Sequence, residues 1–98
     1  MNFNQKVWNL CKRIPKGKVS TYKEIAKALK TKAYRAVGNA LNKNPYDPIV
    51  PCHRVVNSDG KVGGFTFGTN KKIKLLKKER VKIKNNKIEN FEEKLFKF

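Results

Sequence analysis

Cys52 and His53 adjoin in the string Pro51-Cys52-His53-Arg54-Val55, and His53 is the sole histidine of the 98-residue chain. The thiolate, not the thiol, is the nucleophile, and a free cysteine loses its proton only near pH ~8.5. A base reached directly or through one water can remove that proton, and a carboxylate behind the base holds its tautomer. Glu79, in Leu75-Leu76-Lys77-Lys78-Glu79, is the candidate carboxylate. Taken alone the dipeptide leans the other way. Adjacent strand residues point to opposite faces, so a buried Cys52 beside a surface His53 is the plain alternative.

The elements around this pair must hold it still. Pro45, Pro48 and Pro51 surround a short apolar stretch and predict a rigid extended loop, not a helix. Upstream, Phe3, Val7, Leu10, Cys11 and Ile14 fall on one helical face, stopped by Pro15 and Gly17, which makes Cys11 a small core residue. Thr21 and Glu24 fit a T-x-x-E capping box opening a second helix, with Ile25, Ala26, Ala28 and Leu29 as its apolar set. Ala33, Ala36, Val37, Ala40 and Leu41 give a third, and the two together make a helix-turn-helix candidate. Beyond the loop, Asp59-Gly60 predicts a tight turn pairing VPCHRVV with KVGGFTF as a short hairpin. KKIKLLKKE reads as a helix with Ile73, Leu75 and Leu76 inward, and VKIKNNKI as a small hairpin turning at Asn85-Asn86. The tail at 88–98, with its amphipathic NFEEKLFKF, predicts a terminal helix. The expectation is one domain over 1–98, α+β in class. It is a small winged helix-turn-helix-like domain with a proline-rich active-site loop and a short β-hairpin.

Charge points to the partner. Lys and Arg number 24 against 7 Asp and Glu, a net +17, which opposes compaction and calls for a polyanion. Nucleic acid leads, because neutralised phosphates release counterions whatever the base sequence. No apolar run approaches the ~20 residues of a membrane span, and the N-terminus lacks a signal peptide's apolar stretch, so no membrane partner and an intracellular, cytoplasmic protein are expected. Two cysteines and one histidine without metal-ligand spacing predict no disulfide, no metal and no cofactor. The third helix carries Ala33, Ala36, Gly38 and Ala40 beside Arg35 and Asn39, whereas a major-groove reader needs many long polar side chains. Small residues around one Arg suit a minor-groove approach with weak sequence preference.

Six strings occur in order: STY at 20–22, RAVGNAL at 35–41, NP at 44–45, PCHRV at 51–55, VGGF at 62–65 and LLKKE at 75–79. In them the chain, from about Phe3 to about Lys87, resembles the C-terminal domain of the O6-alkylguanine-DNA alkyltransferases. The resemblance implies that Cys52 accepts the alkyl group irreversibly, His53 is the base through a water, Glu79 orients His53 and Asn44 braces the loop. It implies that Tyr22 donates a hydrogen bond to the flipped base and Arg35 fills the gap left in the stack. Ala33, Ala36, Gly38 and Asn39 would lie on DNA. The backbone at Cys52 and Val55, with Thr66, would read the guanine edge, and Phe65 and Phe67 would wall the pocket. The implied partner is double-stranded, and secondarily single-stranded, DNA containing O6-alkylguanine, bound by a monomer. Three residues depart from the pattern: Arg80 stands where the family has Gly, Phe65 where Tyr is common and Phe67 where a small residue is usual.

Three other readings remain beside this one. Alkyltransferase-like proteins bind the lesion but carry another residue in place of the cysteine, whereas Cys52 is present here. A helix-turn-helix regulator would leave PCHRV unexplained, and a cysteine hydrolase would turn over where thioether formation halts.

Overall fold

Asn2 opens the first helix, α1 (Phe3–Cys11), with a reciprocal cap: its side chain accepts from the Gln5 amide, and the Gln5 side chain accepts from its own. Val7, Cys11 and, just past the helix, Ile14 are fully buried, as the periodicity requires. The computed structural model describes residues 1–44, 46 and 49–98; Pro45 and Pro48 of the expected loop lie outside the described residues.

Strand β1 (Ser20–Thr21) runs into α2 (Tyr22–Ala28), where the Thr21 side chain accepts from the Glu24 amide at 3.0 Å, the Thr21 half of the predicted box. Helix α3 (Tyr34–Asn42) packs on both α1 and α2. A 3₁₀ turn (Cys52–Arg54) leads into β2 (Val55–Val56), then α4 (Thr69–Lys78), the β3–β4 hairpin (Ile83–Lys84 and Lys87–Ile88) and the single turn α5 (Phe91–Lys94). The fold is a mixture of helices with small sheets.

Three expectations are corrected. The loop is not extended at its chemical end, because Pro51 to Arg54 closes into the 3₁₀ turn through an Arg54 amide bond to the Pro51 carbonyl. The hairpin between VPCHRVV and KVGGFTF does not form. The turn exists, with Gly60 N donating to Asn57 O, but β2 pairs in parallel with β1 at Ser20↔Val55 and Thr21↔Val56. Burial explains the choice. Val55 packs into the core under α1–α3, whereas Val56 joins Val19, Val62, Leu76, Val81 and Ile88 on the other side, so β2 must be covered on both faces. Of KVGGFTF only Val62 is buried, and the segment does not pair with β2 but meets β4, with Val62 N donating to Asn86 O.

The third correction is the tail, which is helical only over the single turn of α5. After α5 it extends alongside Val19, with Val19 N donating to Lys94 O and Phe96 N to Val19 O. The hairpin at Asn85-Asn86 forms as read, both asparagines at positive φ, 52° and 60°, as a two-residue turn demands.

Candidate functional site

The 3₁₀ turn removes the ambiguity of a strand: Cys52 and His53 are both buried, 7% and 0% exposed. Asn44, itself buried just past α3, donates through Nδ2 to the Val50 carbonyl and to Cys52 Sγ, each at 2.8 Å. The first bond pins the loop; the second gives the sulfur a donor suited to negative charge. His53 Nε2 lies 3.1 Å from Glu79 Oε1, so the residue at the C-cap of α4 reaches the imidazole. Burial pushes the Glu79 carboxyl up, but the hydrogen bond from Arg54, the charge and hydrogen bond of His53 and the Arg54 charge outweigh it and hold the carboxyl below its ordinary value.

Tyr22 begins α2 beside this group. Burial, then the charge of Cys52, raises its phenol above the ordinary 10.0, which keeps the hydroxyl a donor. Tyr22, Gly38, Asn42, Gly64, Phe65 and Thr66 line a cavity of ≈ 380 Å³, within the ~300–1,000 Å³ range of small-molecule sites. Gly63 turns the chain at its edge with φ +75°, and a Cβ there would lie 2.8 Å from Asn57 Oδ1. The Thr66 hydroxyl donates to the Asn42 carbonyl at 3.1 Å, tying this loop to α3.

The structure therefore brings Cys52, His53, Glu79 and Asn44 together, with Tyr22, Gly38, Phe65 and Thr66 around the adjacent cavity. It does not bring Phe67 there: Phe67 is half exposed, edge-on to Phe65 and under the Lys71 ammonium. Val55 puts its side chain into the core. Ala33, Arg35 and Asn39 are exposed on or beside α3, with Ala36 and Gly38 half buried. Arg35, Gly38, Asn39 and Asn42 follow helical spacing along one side of α3. Among the described residues no cluster of His, Cys, Asp or Glu could hold a metal, and no helix is long and apolar enough to cross a membrane.

Three participants had escaped the sequence. Asn42 lines the cavity; Arg54 grips Glu79; Lys72, 1% exposed, donates from Nζ to the Gly64 carbonyl at 3.0 Å. Burial lowers Lys72 to about 8, against a smaller upward pull from Cys52. A signal for Lys72 did exist, since it stands four residues before Leu76 on the inward face of α4.

Comparison with known proteins sets this geometry in a family. A model described as the 6-O-methylguanine DNA methyltransferase, DNA binding domain, matches residues 2–81. A methylated-DNA–protein-cysteine methyltransferase of Sulfolobus acidocaldarius is 54% identical over 82 residues, 84% of this chain and 52% of its own length. The chain spans about half the length of the curated relatives it matches. Among solved structures, Mycobacterium tuberculosis OGT in complex with DNA matches at TM-score 0.78 and 43% identity, over 82% of this chain and 50% of that one. Schizosaccharomyces pombe Atl1, in complex with damaged DNA containing O6-carboxymethylguanine, matches at TM-score 0.84 and 32% identity, over 98% of this chain and 95% of that one.

Proposed function

The chain belongs to the 6-O-methylguanine DNA methyltransferase family, through its DNA-binding domain, and on that premise we propose that it repairs DNA by moving an O6-alkyl group from guanine irreversibly onto Cys52. The observation that carries the proposal is the buried unit in which Asn44 holds the Cys52 sulfur and Glu79 meets the neighbouring His53.

In this reading His53 takes the thiol proton through a water. The sulfur attacks the O6-bound alkyl carbon in line, an S–C bond forms, the C–O6 bond breaks, and guanine leaves as an anion stabilised by the Tyr22 hydroxyl. The thioether has no carbonyl for water to attack, so each chain acts once. The Lys72 ammonium lies near enough to Cys52 for their charges to interact. The base enters the cavity beside Tyr22, Gly64 and Thr66 after flipping, at a cost of about a few kcal/mol that a weakened pair reduces. The whole chain works as one DNA-binding unit of winged helix-turn-helix type, with α2 and α3 as its helix pair and β3–β4 as the wing. Arg35 fills the stack, and the small residues Ala33, Ala36 and Gly38, with Asn39, lie on the minor groove. Lys23, Lys27, Lys30 and Lys32, which share a cavity with Thr31 and Tyr34, suit the flanking phosphates. The partner is duplex DNA first and single strands second, met by a monomer in the cytoplasm.

A second reading, lesion binding without transfer, is favoured by the nearly full-length likeness to Atl1. One experiment separates the two. Intact-protein mass spectrometry after incubation with an O6-methylguanine oligonucleotide, followed by peptide mapping, is expected to find one methyl group per chain, on Cys52. Unchanged mass with DNA still bound would replace transfer by lesion sensing.

A further inference from the structure

We infer that Arg54 is a positioning residue that fixes the His53–Glu79 pair, an inference resting on the transfer reading above. Three guanidinium nitrogens are committed: Nε to Glu79 Oε1 at 2.9 Å, Nη2 to Glu79 Oε2 at 2.6 Å and Nη1 to the Ile14 carbonyl at 2.8 Å. One side chain thus joins the 3₁₀ turn, the exit of α1 and the end of α4. Its side chain is only 15% exposed and that of Glu79 11%, so the pair is sheltered from solvent screening.

Glu79 needs such a partner. It caps the C-terminus of α4, where the negative end of the helix dipole disfavours a carboxylate. A bidentate guanidinium offsets that repulsion and also fixes the carboxylate plane, which a single ammonium cannot do. The oxygen gripped by Nε is the one that lies 3.1 Å from His53 Nε2. Arg54 therefore decides which oxygen faces the ring and prevents the carboxylate from turning away. An anionic oxygen set against Nε2 keeps the ring proton there and leaves Nδ1 as the acceptor, the tautomer a base toward Cys52 requires.

The sole histidine makes the test clean, because ¹⁵N-labelled protein gives one pair of imidazole signals that report the tautomer without DNA. The parent, Arg54→Met and Arg54→Lys are compared in these spectra and in single-turnover transfer from an O6-methylguanine duplex. The expected result is one tautomer in the parent, a mixture in Arg54→Met with transfer slowed about 10- to 100-fold, as for other outer partners of a reacting group, and an intermediate Arg54→Lys. A folded Arg54→Met with parental spectrum and rate would overturn the inference. Should that variant fail to fold, Arg54→Lys, which keeps charge and stem, decides: tautomer mixing supports the role and parental signals refute it. A parent that transfers nothing would sink the transfer reading, while the imidazole spectra would still settle whether Arg54 fixes the pair.

Discussion

A sulfur, an amide, an imidazole and a carboxylate do nothing together unless each is held, and here three stretches of chain hold them: the 3₁₀ turn for the sulfur and the imidazole, Asn44 just past α3 for the amide and the cap of α4 for the carboxylate. Cys52→Ala removes the proposed acceptor without touching the basic surface. It should abolish methyl transfer yet keep DNA binding that weakens steeply with salt, and transfer surviving the change would end the assignment of Cys52. Lys72 gives a prediction of stability. Its buried ammonium costs free energy at low pH. Between about 8 and 10.5 the folded side chain has shed a proton that the unfolded one retains, so stability rises with pH. Tyr22, whose phenol is raised above 10.0, contributes the opposite sign beyond that point, leaving pH 8 to 10 as the window. Urea midpoints should climb through that window in the parent and stay flatter in Lys72→Met; parallel curves would show that Lys72 is not titrating there.

The elements differ in the part each is proposed to play on DNA and in how far the sequence revealed them. On α3, Arg35 is exposed beside small neighbours, and Arg35→Ala should slow transfer from duplex more than from free O6-methylguanine base. Equal losses would show that Arg35 has no part in extrusion. The cavity's edge depends on Gly63: Gly63→Ala forces a Cβ to 2.8 Å from Asn57 Oδ1 at φ +75°, for about 1–3 kcal/mol. An unchanged urea midpoint would contradict it. Helices α1 to α4 were legible because their apolar residues recur at helical spacing, and Asn85-Asn86 announced its hairpin. The four site residues were legible as letters in ordered strings. The parallel pairing of β1 with β2 was not, since two residues 35 positions apart carry no local sign of meeting. Nor was the Arg54 grip on Glu79, 25 residues away, whereas Lys72 had its sign in the helical register with Leu76.

At the scale of the whole molecule, a net charge of +17 must be restrained by two modest cores, and the tail bears on both. Phe91 packs on the cluster around Val56 and Leu76, whereas Phe96 and Phe98 pack on the cluster that contains Cys52. Between them the tail lies along Val19, and Ser20 Oγ, two residues before Tyr22, donates to the Phe96 carbonyl at 2.8 Å. Arg13 sits over the Phe98 ring, 5.6 Å from its centre, so α1's exit is held as well. Ending the chain after Lys94 removes the Phe96 bonds and the burial of three large apolar side chains, about 3 kcal/mol or more. The urea midpoint should fall accordingly. Because the lost contacts adjoin Ser20 and Tyr22, duplex transfer should slow even where the shortened chain stays folded. A shortened chain with the parental midpoint and rate would mean that β1 and the helix behind it stand without the tail.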